Sequence, residues 1–282
     1  MRQRPAAHSP AFDQRRSSQD SGRLPPEAWQ LFVFPHAGGS AAQYRRWAKW
    51  LPPGVDVLPL ELPGHGARLR EDPASGWEAL IDDVVAQLRA RRRPERRYLL
   101  AGHSLGALLA YESARVLERT DSPAELLIVS GRNGPSAGIS HRPIHQLPDE
   151  HFLTALRRLG GTPDRMVAQQ DLVRLFLPAM RAGLRLAETY RRSPGPPLAV
   201  PVTVFGGRQD RLTEESGLIA WSRETTGVFD LTLCPGGHFF TDDTTFTSAF
   251  RLRLARHAAE LSNASASGPC AIYSSPVEFT TS

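Results

Sequence analysis

The stretch Tyr98-Leu99-Leu100-Ala101-Gly102-His103-Ser104-Leu105-Gly106-Ala107-Leu108-Leu109 decides the fold. Four apolar residues, too few for a helix, run into a serine bracketed by glycines, and an apolar segment then continues to Leu117. A buried strand, a tight turn and a buried helix follow one another in that pattern. The turn demands glycine at 102 and 106, where side chains would force strand and helix apart, and it holds the serine in a strained backbone conformation. The Ser104 hydroxyl is then presented above a sheet edge, over a helix N-terminus that favours developing negative charge.

Outward from this turn, short apolar runs recur at Leu31–Phe34, Val55–Leu60, Leu126–Val129, Val202–Phe205 and Leu231–Cys234. Each is bounded by Gly, Pro or polar residues, as buried parallel strands are. Helical patterns lie between them. Trp77, Leu80, Ile81, Val84, Val85 and Leu88 fall on one face of an amphipathic helix, and Leu105 to Leu117 is apolar around most of its circumference. The expected fold class is α/β: a mostly parallel central sheet with helices on both faces. One stretch breaks the alternation. From about 140 to 192 only two helical patterns occur, Phe152–Leu159 and Leu172–Tyr190, an insertion too long for plain connection. It is read either as extra core or as a lid over a pocket.

The expected organisation is a disordered Arg/Ser/Gln/Pro leader over 1–27, one domain over 28–261, and a disordered Ser/Thr/Ala/Pro tail over 262–282. No apolar run approaches the roughly 20 residues of a membrane span, and no signal-peptide pattern opens the chain. Two cysteines, Cys234 and Cys270, make neither a disulfide framework nor a thiolate zinc site, which points to the cytoplasm. The net charge of +5 is carried almost wholly by arginine, with Lys49 the single lysine. Arginines concentrate at Arg89, Arg91, Arg92, Arg93, Arg96 and Arg97, and again at Arg181, Arg185, Arg191 and Arg192. No aromatic interleaving or recognition helix supports nucleic-acid binding. Charge alone favours a solvated helix end over a docking surface for an acidic partner. Phosphate-loop, zinc-protease, C-x-x-C and dinucleotide motifs are absent, so no cofactor or metal is called.

A serine hydroxyl needs a base to act as a nucleophile at neutral pH. His103 is adjacent, but neighbouring side chains on such a turn diverge. His238, in Cys234-Pro235-Gly236-Gly237-His238-Phe239-Phe240, follows the last strand and is the candidate. The acid should follow a late strand, and Asp210 ends the loop Gly206-Gly207-Arg208-Gln209-Asp210 behind Val202–Phe205. Asp242 and Asp243 follow the histidine too closely and suit the cap of the final helix. Ser104, Asp210 and His238 then stand in the chain order of the α/β-hydrolase fold. For the oxyanion, the backbone N–H of Leu105 is one donor. The other is Ala37 N–H, in Pro35-His36-Ala37-Gly38-Gly39 after the first strand, with His36 bracing that loop.

These residues resemble the type II, editing thioesterases of polyketide and nonribosomal-peptide assembly lines. The resemblance spans about Leu31 to Leu261. It rests on Phe34-Pro35-His36-Ala37-Gly38-Gly39-Ser40, Leu62-Pro63-Gly64-His65-Gly66-Ala67-Arg68, the Ser104 turn, Leu156-Arg157-Arg158-Leu159-Gly160-Gly161-Thr162-Pro163, Phe205-Gly206-Gly207 with Asp210, and Gly236-Gly237-His238-Phe239-Phe240. It implies hydrolysis of acyl thioesters on the phosphopantetheine arm of an acyl or peptidyl carrier protein; separately, a monomer is expected. It also makes the insertion a helical lid, with Phe152, Leu172, Phe176, Met180 and Phe239 toward the acyl chain. One departure stands out: where related sequences often carry Arg-Ala-Asp, this chain reads Arg181-Ala182-Gly183. Two rivals share the same three side chains, an acyltransferase and a chain-releasing fatty acyl thioesterase. A catalytically silent binding protein on the same fold is the rival of another class.

Overall fold

The computed structural model describes residues 29–120, 123–159 and 170–266. Six strands form one sheet: β1 (Trp29–Phe34), β2 (Val55–Pro59), β3 (Tyr98–His103), β4 (Leu126–Ser130), β5 (Val202–Gly207) and β6 (Phe229–Cys234). Their order is β2-β1-β3-β4-β5-β6, and every pair is parallel. The helices are α1 (Ala41–Arg45), α2 (Trp77–Arg91), α3 (Leu105–Thr120), α4 (Asp149–Leu159), α5 (Gln170–Thr189), α6 (Glu215–Ile219) and α7 (Thr244–Ala266). Each apolar run singled out in the sequence is a strand, and the fold is the α/β-hydrolase fold.

Both faces of the sheet are covered over its inner strands β1, β3, β4 and β5, which is why these are buried at successive positions rather than at alternate ones, whereas the edge strands β2 and β6 are only partly buried. Phe32, Phe34, Leu100, Leu127 and Val204 face α2 and α3, packing with Leu80, Val84, Leu88 and Leu109. Leu31, Val33, Leu99, Ala101 and Ile128 point the other way, onto Tyr44 of α1 and Phe246, Phe250 and Leu254 of α7. Side chains this deeply buried each contribute roughly 1.5–3 kcal/mol relative to exposure.

The insertion between β4 and β5 carries α4 and α5, with a small core of its own made by Phe152, Leu156, Leu177 and Leu184. It is tied down at its entry. The Glu188 carboxylate accepts the Ile144 and His145 backbone N–H groups at 2.9 and 3.0 Å. The Arg181 guanidinium donates to the Leu147 carbonyl at 2.8 Å and to Asp149 at 2.6 Å. At the far end, α7 continues to Ala266, into the stretch expected to be an unstructured tail. Ser262, Asn263, Ala264 and Ser265 are helix-compatible, and no breaker occurs before Gly268-Pro269. The leader and the rest of the tail lie outside the described residues.

Candidate active site

The strand order reverses direction at β1, which lies between β2 and β3. In open parallel sheets such a switch point leaves a crevice beyond the strand ends, because the flanking connections run to opposite faces. The Pro35–Gly39 loop leaves β1 here, and the Ser104 turn leaves β3 beside it, with Phe34 and Gly102 in register.

Ser104 has φ 58°, the only positive value at a non-glycine residue among the described residues. The flanking glycines account for it. A Cβ at Gly102 would lie 2.0 Å from the Gly106 carbonyl oxygen, and one at Gly106 would lie 2.0 Å from that of Phe34. Neither approach is possible for a real side chain, so the turn exists only with glycine at both places. Ser104 N–H donates to the Ser130 carbonyl of β4 at 2.8 Å. Leu105 begins α3, so its N–H has no place in the helical ladder and is free to bind an anion.

Asp210 and His238 meet although 28 positions separate them. The loops behind β5 and β6 are zipped together: Arg208 N–H donates to the Cys234 carbonyl at 2.9 Å and Gln209 N–H to that of Gly236 at 3.0 Å. His238 Nδ1 donates to Asp210 Oδ2 at 2.9 Å, and Leu212 N–H donates to Oδ1 at 2.9 Å. Both side chains are buried. A carboxylate only accepts, so the imidazole proton sits on Nδ1 and Nε2 keeps its lone pair. Asp243, the rival carboxylate, accepts the Thr245 N–H at 2.7 Å as the cap of α7, in line with its expected role.

A cavity of about 310 Å³ opens over these groups, and Ser104, His238 and Ala37 all line it. Leu156, Leu159, Phe176, Met180 and Leu184 of the insertion roof it. Phe239 lines it too, its ring centroid 5.0 Å from both His36 and His238. Phe152, expected at the acyl chain, is elsewhere: it is fully buried in the insertion's own core with the Arg181 guanidinium 4.2 Å over its ring, and it does not line the cavity. The amphipathic pattern of α4 marks its buried face without saying what that face packs against. The side chain of Leu172 lies outside the described residues. Gly183 packs directly against Ala37, the consequence of the Arg-Ala-Gly departure.

Four histidines cluster around the site, and burial disfavours the charged forms of His36, His65 and His103. His36 is pushed down to about 3, first by burial and then by the charges His238 and His65 would carry. Burial likewise lowers His65 and holds His103 well below the usual imidazole range. His103 is committed elsewhere, with Nδ1 2.9 Å from Ser130 Oγ. His36 does brace its loop: the Tyr44 hydroxyl accepts its backbone N–H at 3.3 Å and lies 2.7 Å from its Nδ1. His65, quoted in the sequence for its motif but given no task, also lines the cavity.

The arginine groups do not surround the cavity mouth. Arg96 pairs with Asp56 at 3.7 Å and Arg97 with Glu125 at 3.0 Å, where β2 and β4 begin. A six-residue strand separates that edge from Ser104, roughly 20 Å at the usual rise. Arg181 and Arg192 are spent internally, Arg192 on Glu224 at 2.6 Å. Among the described residues no group of His, Cys, Asp or Glu side chains is arranged to hold a metal ion, and no helix is long and apolar enough to cross a membrane.

The thioesterase domain family matches the chain over residues 29–252. The chain belongs to the thioesterase family. This thioesterase is 40% identical to the thioesterase PikA5 of Streptomyces venezuelae over 220 residues, 78% of each protein. It also resembles the solved structure of BorB, the type II thioesterase from the borrelidin biosynthetic cluster. That match has a TM-score of 0.72 and 37% identity, over 84% of this chain and 94% of that one. RedJ, a thioesterase from the prodiginine biosynthetic pathway in Streptomyces coelicolor, matches with a TM-score of 0.74 and 35% identity, over 90% of this chain and 91% of that one.

Proposed function

We propose that this thioesterase hydrolyses acyl groups held as thioesters on the phosphopantetheine arm of acyl or peptidyl carrier proteins, clearing such chains during secondary-metabolite biosynthesis. The observation that carries the reading is the left-handed serine turn facing the same lidded cavity as a buried, carboxylate-bonded histidine. The biosynthetic settings of BorB and RedJ support the carrier-bound substrate.

In this reading Ser104 is the nucleophile. Nε2 of His238 takes its proton as Oγ bonds to the thioester carbon, while Asp210 holds the tautomer and stabilises the imidazolium. The carbonyl oxygen, now carrying the negative charge, is met by the N–H groups of Ala37 and Leu105. Collapse of the tetrahedral intermediate breaks the C–S bond, and the departing thiolate takes the proton from His238. Water, deprotonated by the same Nε2, then attacks the acyl-serine ester and restores the hydroxyl. Phe176, Met180 and Phe239 hold the acyl chain in the apolar part of the cavity, and the lid keeps bulk water from it. All three side chains come from one chain, so the proposal takes the enzyme to act as a monomer, in the cytoplasm with its carriers.

The test presents a panel of acyl groups on loaded carrier protein and on free pantetheine. The wild-type chain should release them, faster from the carrier, and Ser104→Ala should release none. A Ser104→Ala variant at wild-type rate would overturn the assignment. Equal rates on free pantetheine would replace the carrier with thioesters at large.

A further inference from the structure

The turn that presents Ala37 N–H is short and glycine-rich, and its rigidity has to come from what holds it. The peptide unit carrying Ala37 N–H also carries the His36 carbonyl, which accepts Gly39 N–H at 2.9 Å. The peptide before it is held through His36 N–H and the Tyr44 hydroxyl. The peptide after it carries Gly38 N–H. Gly38 has φ +82°, and its N–H leaves the loop altogether, donating to Nε2 of His65 at 3.2 Å.

His65, 5% exposed, reaches this point from the loop behind β2. Its other nitrogen, Nδ1, lies 3.0 Å from the Pro63 carbonyl oxygen. A carbonyl only accepts, so Nδ1 carries the proton and Nε2 offers the lone pair that Gly38 N–H requires. The two contacts specify one form of the ring, neutral and protonated at Nδ1. A carboxylate could accept the same N–H, but it would put a negative charge on the wall of a cavity in which an oxyanion forms. The Glu61 carboxylate is turned instead to other backbone groups, accepting Ala41 N–H at 2.9 Å and Ala67 N–H at 3.3 Å.

We propose that His65 is a positioning residue for the oxyanion hole: its Nε2 anchors Gly38 N–H, and so keeps the preceding peptide, with Ala37 N–H, aimed at the reacting carbonyl. The proposal rests on the assignment of Ala37 N–H made above. Without the acceptor, the half-buried Gly38 N–H loses its partner, and the turn relaxes to find another. The loss falls on the transition state, where the oxyanion is held, and not on acyl-chain binding, which the lid residues provide.

The experiment compares wild type, His65→Leu and His65→Gln on one acyl carrier thioester. Leucine removes the acceptor, and glutamine keeps one in its side-chain carbonyl. His65→Leu should lower kcat roughly 30- to 100-fold, the range set by a displaced rather than deleted donor. KM should stay within about twofold, with a matching loss of affinity for a trifluoromethyl ketone analogue of the substrate. His65→Gln should recover most of kcat. Because His65→Leu could fail to fold, the imidazole nitrogen resonances of the wild-type chain supply a second readout, expected to show His65 protonated at Nδ1. A His65→Leu enzyme with unchanged kcat, or a proton found on Nε2, would overturn the brace alone. A wild-type chain that neither turns over nor is labelled at Ser104 by a fluorophosphonate would overturn the whole reading of the site, and the brace with it.

Discussion

Gly183 lies inside α5, where that helix packs against the Pro35–Gly39 loop proposed to carry an oxyanion donor, and a single methyl group there should separate stability from turnover. A Cβ on Gly183 would lie 3.0 Å from Ala37 Cβ, 3.3 Å from Ala37 Cα and 3.3 Å from Leu105 Cδ2. At such distances a neighbour must give by a few tenths of an ångström. The Leu105 methyl can rotate away. The lid helix is pinned by Arg181 and Glu188, so the strain falls on Ala37. A misplacement of about 1 Å in a reacting constellation costs about a hundredfold, so a few tenths cost roughly three- to tenfold, or about 1 kcal/mol of transition-state stabilisation. Meanwhile alanine improves a helix interior by about 1 kcal/mol over glycine. Gly183→Ala should therefore melt at or above the wild-type temperature while kcat falls about fivefold and KM holds. Steady-state thiol release and thermal unfolding on the same preparation check both. An unchanged kcat in a protein that melts normally would refute the coupling between lid helix and oxyanion loop.

Asp210→Asn should lower kcat by about 10³- to 10⁴-fold with little change in KM, because a neutral amide no longer fixes the Nδ1–H tautomer of His238 or stabilises its cation; a loss under tenfold would remove Asp210 from the relay. Stability should fall on acidification. His36, His65 and His103 stay neutral in the fold through burial, whereas an unfolded imidazole protonates near 6.5. The unfolded chain thus binds more protons below that pH. The stability from neutral burial is complete above about 6.5 and is lost as the pH falls below it, for His36 toward about 3, at up to about 1.4 kcal/mol per pH unit for each histidine. The urea midpoint should be clearly lower at pH 5 than at pH 7.5, and equal midpoints would contradict the neutral cluster.

Much of this protein was legible because its signals are local. The strands read as short apolar runs since both sheet faces are covered, and every residue of a run such as Leu99-Leu100-Ala101 is buried. The serine turn read clearly because backbone crowding at Gly102 and Gly106 admits no other residue. Asp210 and His238 followed from chain order and from their places behind strands. Phe152 was misplaced because helical periodicity distinguishes buried from exposed, and the interior of a lid and the wall of its cavity are both buried.

The sequence by itself determined the sheet and the turn, since each depends on residues close together in the chain, and it offered Ser104, Asp210 and His238 as candidates through their places behind strands. Only the tertiary structure decided which edge the arginines occupy, that Gly183 abuts Ala37, and that His65 reaches back to Gly38. Those are contacts between loops and helices far apart in sequence, set by how the layers pack, and no local pattern of residue types encodes a distance across a crevice.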